Sequence, residues 1–362
     1  MTRILTLFFL AAALTASAQD LYVWHRSYPP ALLQEIKQFY LQSRGKLCFL
    51  AGELENDGKV FALKPSPAVQ FDRAVPVVRI HVKQMQKSPA ELAKTITDIY
   101  EPWSKCRALQ IDLDAPESKL DYYRNLMLEL RSRLGKVKLS VTVLPCHIKH
   151  TEKFRALALA CDYYVLQVHG LSKENGRWFI MDGKIARAAV KQAGKLALPY
   201  QLALPLYAHT VEQNLPVLPD LHLAAELAKT APSVIGFRLA AAGEREALDL
   251  ASALQILKGK YAPQLDIFWQ KQANGAWYLM VRNKGFFPQK ISCTFKLPAD
   301  TVIMDMDVFP GGTLDRLAHK IEFILPPSGT TQACMWLRGA SKNNLNMENA
   351  FNIKFNPGKI SR

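Results

Sequence analysis

The residues with the most chemical potential lie on short apolar runs. Over 110–114, Gln110, Asp112 and Asp114 alternate with Ile111 and Leu113, so an extended strand carries two carboxylates on one face and aliphatic side chains on the other. Two carboxylates on one face suit general acid–base work. Asp112 stands one step deeper than Asp114, where a base such as Arg79 is expected to hold it. The same counting groups Trp24 with Arg26, Ala51 with Glu53, Arg79 with His81, and Gln167 with His169, while Thr142, Tyr207 and Arg238 fall at or near the ends of further runs. Charged side chains inside a fold are costly unless paired or solvated, so such a ring implies a polar pocket. The plainer reading is a buried network in which Arg79 and Arg238 neutralise Glu53 and Asp112. His25, His147 and His209 have neither His-x-His nor His-Glu-x-x-His spacing, so no metal and no cofactor is expected.

Positioning these residues takes eight short runs rich in β-branched and aromatic residues: 21–26, 47–54, 75–82, 109–114, 139–144, 163–169, 200–206 and 234–239. Each is followed by a helical pattern or a long connection, which argues a parallel sheet, and eight such units close a (β/α)8 barrel of the α/β class. Catalytic groups then sit at the carboxyl ends of the strands. Ser88-Pro89-Ala90-Glu91 reads as a capping box, 118–135 as an amphipathic helix ended by Gly135, and 182–194 and 220–231 as similar helices. The segment 55–73 has no helical period and reads as a long irregular loop over the pocket.

Beyond 260 the pattern changes to strands without helices, with Asn274-Gly275 as a hairpin turn, so 261–340 is expected to form a small antiparallel β-sandwich. Trp269, Trp277 and Trp336 are expected to be core more than glycan contacts. The Asn-rich stretch 341–362 reads as a polar, flexible tail. At the other end, Arg3, the apolar run 4–14 and Ala16-Ser17-Ala18 read as a signal peptide over 1–18, giving a periplasmic or extracellular chain that begins near Gln19. No later stretch approaches the roughly 20 apolar residues of a membrane span. A monomer is expected. Lysine and arginine number 46 against 31 acids, a formal charge of +15, yet no nucleic-acid-binding motif accompanies it; an acidic polysaccharide is the partner such a field suits. Of the six cysteines, Cys293 and Cys334 are placed for a cross-sheet bridge.

Three segments carry a resemblance: Val23-Trp24-His25-Arg26, Gln110-Ile111-Asp112-Leu113-Asp114-Ala115-Pro116 and Leu139-Ser140-Val141-Thr142-Val143-Leu144-Pro145 resemble a bacterial family known as domain of unknown function 3142. The resemblance implies a barrel related to glycoside hydrolases. The fourth run is also distantly similar to family 18 chitinases, whose strand ends Asp-x-Asp-x-Glu with Glu as proton donor. Asp112 and Asp114 match the aspartates, Pro116 stands at the acid position, and Glu117 is displaced by one. Taken with the strand counting, the expectation is a glycoside hydrolase using Asp112, Asp114 and Glu53, its acid being Glu53, Asp114 or Glu117, with Trp24, Arg26, Arg79, His81, Gln167, His169, Tyr207 and Arg238 as substrate contacts. The alternatives are a non-catalytic carbohydrate-binding barrel, which Pro116 favours, and a metal-assisted hydrolase.

Overall fold

The structure, a computed structural model, describes residues 19–212, 215–261, 265–284, 289–294, 301–325, 331–341 and 354–356. The leader segment 1–18 lies outside them. Eight parallel strands form the barrel: β1 (Gln19–Val23), β2 (Leu47–Leu54), β3 (Ala74–Ile80), β4 (Ala108–Asp112), β5 (Lys138–Val143), β6 (Tyr163–Gln167), β7 (Tyr200–Pro205) and β8 (Val234–Phe237). They pair in sequence order, and the ring closes because Leu21 lies opposite both Leu47 of β2 and Gly236 of β8. Several strands end a few residues earlier than the apolar runs suggest, since the chain turns into the loops of the mouth once its last ladder bond is made.

Helices α1 (Pro30–Gln42), α2 (Pro89–Tyr100), α3 (Leu120–Leu134), α4 (Thr151–Leu159), α5 (Gly183–Leu196), α6 (Leu221–Thr230) and α7 (Leu250–Leu257) surround the strands. α2 begins with the expected capping box: Glu91 N–H donates to Ser88 Oγ at 3.3 Å and Ser88 N–H to Glu91 Oε2 at 2.8 Å. Gly135, at φ +58°, lets the chain leave α3 through a conformation that a side chain disfavours. The main core lies between strands and helices, where Phe49, Val78, Ile111 and Val141 meet Ile36, Leu92, Ile96 and Leu126. Each such side chain contributes about 1.5–3 kcal/mol by leaving water. Tyr22, Val75, Val77, Val165, Ala203 and Ile235 form a second cluster, contributed by the alternate strand positions that point inward.

The connection from β2 to β3 differs from the irregular loop expected. Val60–Ala62 folds back antiparallel on Gly52–Leu54, and Phe71–Arg73 forms one 3-10 turn before β3. No helix among the described residues is long and apolar enough to cross a membrane.

The described residues of the β-rich region form two four-stranded antiparallel sheets. One orders Leu265–Lys271, Trp277–Asn283, Thr331–Ser341 and Thr301–Val308; the other orders Gly312–Asp315, Lys320–Leu325, Gln289–Thr294 and Lys354–Asn356. Gly275 makes the first hairpin at φ +78°. Trp269 is buried with Leu279, Met306, Phe323 and Met335, Trp277 packs at the edge of that core, and Trp336 is half-buried. Lys354–Asn356 falls in the stretch read as a tail and pairs instead with Ser292–Thr294. Cys293 and Cys334 stand on strands of different sheets; the side chain of Cys293 lies outside the described residues.

Candidate active site

The carboxyl ends of the strands bring most of the expected residues to one mouth. On β2 the route differs from simple alternation. Leu50 lies opposite Val77 and Gly52 opposite Val78, leaving Ala51 as the extra residue of a bulge. Ala51 packs in the outer core, and a Cβ on Gly52 would come within 2.7 Å of Ile99 Cγ2 in α2, so both turn outward. Alternation then restarts, and Glu53, opposite Arg79, faces the mouth. Glu53 therefore does not share a face with Ala51; counting from inward-facing Cys48 without the bulge would have turned it outward.

Glu53 is buried, and both of its oxygens are occupied. Arg26 Nε donates to Oε2 at 2.5 Å and Arg79 Nη1 to Oε1 at 3.3 Å. Arg26 also reaches Glu55 at 2.7 Å and lies over the ring of Phe61, 5.2 Å from its centroid. Arg79 thus holds Glu53 and not Asp112, which corrects the expected pairing. Asp112 takes instead a hydrogen bond from the Thr142 hydroxyl, which itself accepts from Gln110 Nε2 at 3.1 Å; Gln110 also donates to the Tyr22 hydroxyl at 2.5 Å. Burial, and next the like charge of Asp114, push the Asp112 carboxyl up to about 6, against the pull of Thr142 and Arg79. Asp114 is exposed and makes no hydrogen bond or ion pair among the described residues. Glu117 is paired with His150 Nε2 at 2.5 Å where α3 and α4 begin, which holds its carboxyl below the usual range.

The opposite side of the mouth is aromatic. Phe237, the last residue of β8, touches Tyr22, Trp24, His169 and Tyr207, with ring centroids 5.3–5.6 Å apart. His169 is buried, neither ring nitrogen has a partner among the described residues, and burial lowers its pKa to about 3, so the ring is neutral. Gln167 is half-buried beside it and donates to the His169 carbonyl at 3.1 Å.

Arg238 follows β8 and forms a two-pronged pair with Glu244, one prong at 3.1 Å, while its Nη1 lies 3.2 Å from His25 Nε2. Burial alone would raise Glu244; His25, Arg238 and the Ala241 N–H outweigh it and bring the carboxyl to about 2. Arg238 therefore neutralises Glu244, not Asp112. His81 is engaged locally, its Nδ1 accepting from Lys83 N–H at the start of a 3-10 turn. His147 ties the β4 and β5 loops together, with Nε2 2.7 Å from the Ala115 carbonyl.

Of the residues expected at the mouth, Glu53, Arg26, Arg79, Asp112, Trp24, His169 and Tyr207 take part in the contacts described, as do Phe237 and Glu244, which the sequence reading did not name. Phe237 could have been found as the inward partner of Ile235 two residues earlier. Glu244 could have been found as the nearest acid on the loop that carries Arg238.

No curated protein matches the chain. Similar solved structures include the spore cortex-lytic enzyme SleL of Bacillus megaterium QM B1551, at 11% identity over 68% of this chain and 74% of that one, TM-score 0.43. A putative chitinase A from Streptomyces coelicolor is similar at 10% identity over 62% and 92%, TM-score 0.43. Group IV chitinase of Ostrinia furnacalis is similar at 11% over 62% and 93%, TM-score 0.44. Residues 72–219, which span β3 to β7, match the family model described as "Domain of unknown function (DUF3142)", and the resemblance carried by the fourth and fifth strands is thereby borne out.

Proposed function

We propose that the chain is a glycoside hydrolase acting on a polysaccharide or glycoconjugate outside the cytoplasm. The observation that carries this reading is Asp112, a carboxyl raised to about 6 with Asp114 one step nearer solvent. A group of that affinity is partly protonated near neutral pH and can both give and take a proton. Asp114, exposed at the mouth, passes the proton it shares with Asp112 to the leaving oxygen as the glycosidic C–O bond breaks, and water adds to the anomeric carbon and returns a proton to the pair. Glu53, its oxygens engaged by Arg26 and Arg79, does not itself transfer the proton and holds the two guanidinium groups at the mouth, where their remaining N–H groups can donate to sugar hydroxyls. Trp24 and Tyr207 offer ring faces to a sugar, and the buried, neutral His169 packs against Tyr207, its centroid 5.9 Å away, and supports that ring. A non-catalytic glycan-binding barrel is the second reading, favoured by Pro116 at the position where chitinases carry their acid.

Incubation of the purified protein with envelope and plant polysaccharides should release oligosaccharide, and Asp114→Asn should lower turnover by about 100-fold with little change in melting temperature. Binding without release, weakened modestly by Asp114→Asn, supports the second reading. Neither binding nor release removes the mouth as a glycan site. Export is part of the same reading: mass measurement of the extracytoplasmic protein should give an N-terminus near Gln19, and material that retains Met1 there contradicts it.

A further inference from the structure

The face of the barrel opposite the mouth, where the strands begin, holds a cleft of about 750 Å³. Lys46 precedes β2, Lys105 and Arg107 precede β4, Lys138 opens β5, and the 3-10 turn bearing Phe71 and Asp72 leads into β3. Four cations face one acid. All four are exposed, and among the described residues none of them forms an ion pair. β2, β3, β4 and β5 are consecutive neighbours in the ring. Neighbouring strands lie about 4.8 Å apart, so these entries describe an arc of roughly 15 Å. That length suits several charges in a row better than one small anion.

We propose that this cleft is a docking site for an anionic polysaccharide, a sugar polymer bearing carboxylate, sulfate or phosphate groups. Lys46 lies within electrostatic reach of Asp20 and Lys138 of Asp162, but with no salt bridge holding any of the four among the described residues, such cations attract a polyanion by releasing its counterions. Single-stranded nucleic acid fits less well, because it needs open aromatic faces for its bases and the ring of Phe71 already carries Lys105 Nζ 5.6 Å from its centroid. A membrane surface fits less well because it is flat and the site is a cleft. The proposal does not depend on hydrolysis or binding at the mouth.

The test compares two triple variants of the full-length mature chain. Lys46→Glu, Lys105→Glu and Lys138→Glu alter the cleft, whereas Lys37→Glu, Lys94→Glu and Lys191→Glu alter exposed positions on α1, α2 and α5. Each replacement changes the charge by two, so three lower the formal charge by six in both variants. Binding is measured to polygalacturonate, to neutral dextran, to a single-stranded oligodeoxynucleotide and to phosphatidylglycerol vesicles, over a range of salt. The unaltered protein should bind polygalacturonate in a salt-dependent way and leave dextran unbound. The cleft variant should lose about tenfold or more of that affinity at 0.1 M salt and shed roughly one unit of salt slope per lysine removed, while the control variant stays within about threefold. Equal losses in both variants would mean that overall charge, not the cleft, is responsible, and the proposal fails. It fails equally if no polygalacturonate binds, or if the oligonucleotide or vesicles are preferred and it is their binding that the cleft variant loses. Melting curves check folding, and should the glutamates lower stability, the matching glutamine variants repeat the comparison with the same expected direction.

Discussion

Two carboxylates in the mouth are withdrawn from bulk water, and the protein treats them in opposite ways. Glu53 receives two guanidinium groups, whereas Asp112 receives one hydroxyl and a like-charged neighbour. The folded pKa of Asp112, about 6, lies above its ordinary 3.8. Between these values the folded protein keeps a proton that the unfolded chain has released, so the group's contribution is whole below about pH 4 and is lost as pH rises through 6. Two units amount to at most about 3 kcal/mol. Asp112→Asn removes the penalty, so its melting temperature relative to the unaltered protein should climb between about pH 4 and 7 and then level off. A loss of stability at pH 7 would show that a cation holds Asp112 after all. Glu244 has the opposite sign: its carboxyl, brought to about 2, contributes stability above its ordinary 4.5 that disappears on acidification. At this scale the sequence was informative where alternation applies. Over 110–112 alternation brings Gln110 and Asp112 together at the Thr142 hydroxyl. Arg238 and Glu244 lie on a loop, where no period says which side chains meet.

Among the elements, the bulge on β2 decides whether Glu53 joins the site. A methyl group on Gly52 would lie 2.7 Å from both Ile99 Cγ2 and the Phe61 carbonyl, and the latter is backbone that cannot swing aside. Gly52→Ala should therefore destabilise the protein by about 1–3 kcal/mol, the usual range for overpacking, as read by denaturant unfolding. A neutral result would contradict the bulge geometry. The barrel strands were readable because each is a β-branched or aromatic run bounded by turn residues. The bulge was not, because Leu50, Ala51 and Gly52 are all apolar and β2 is buried on both faces, so neither polarity nor period marks the extra residue. The return strand Val60–Ala62 escaped notice for a simpler reason: three residues are too few to show a period.

At the scale of the molecule, an eight-stranded barrel is followed by two antiparallel sheets with a hydrophobic core of their own. We expect limited proteolysis to cut first within 258–263, after α7 and before the first strand of the β-rich region. A first cut between β1 and β8 would contradict that division. The closed ring also sets an order of events in time. Gln19 pairs with Val234, a separation of 234 − 19 = 215 residues, so β1 has only one of its two neighbours until nearly two thirds of the chain has been made. Closing so long a span is entropically slow. Until β8 arrives, the open ring exposes the unpaired strand edges of β1 and β7, the state in which the young chain is most prone to pair with another copy of itself.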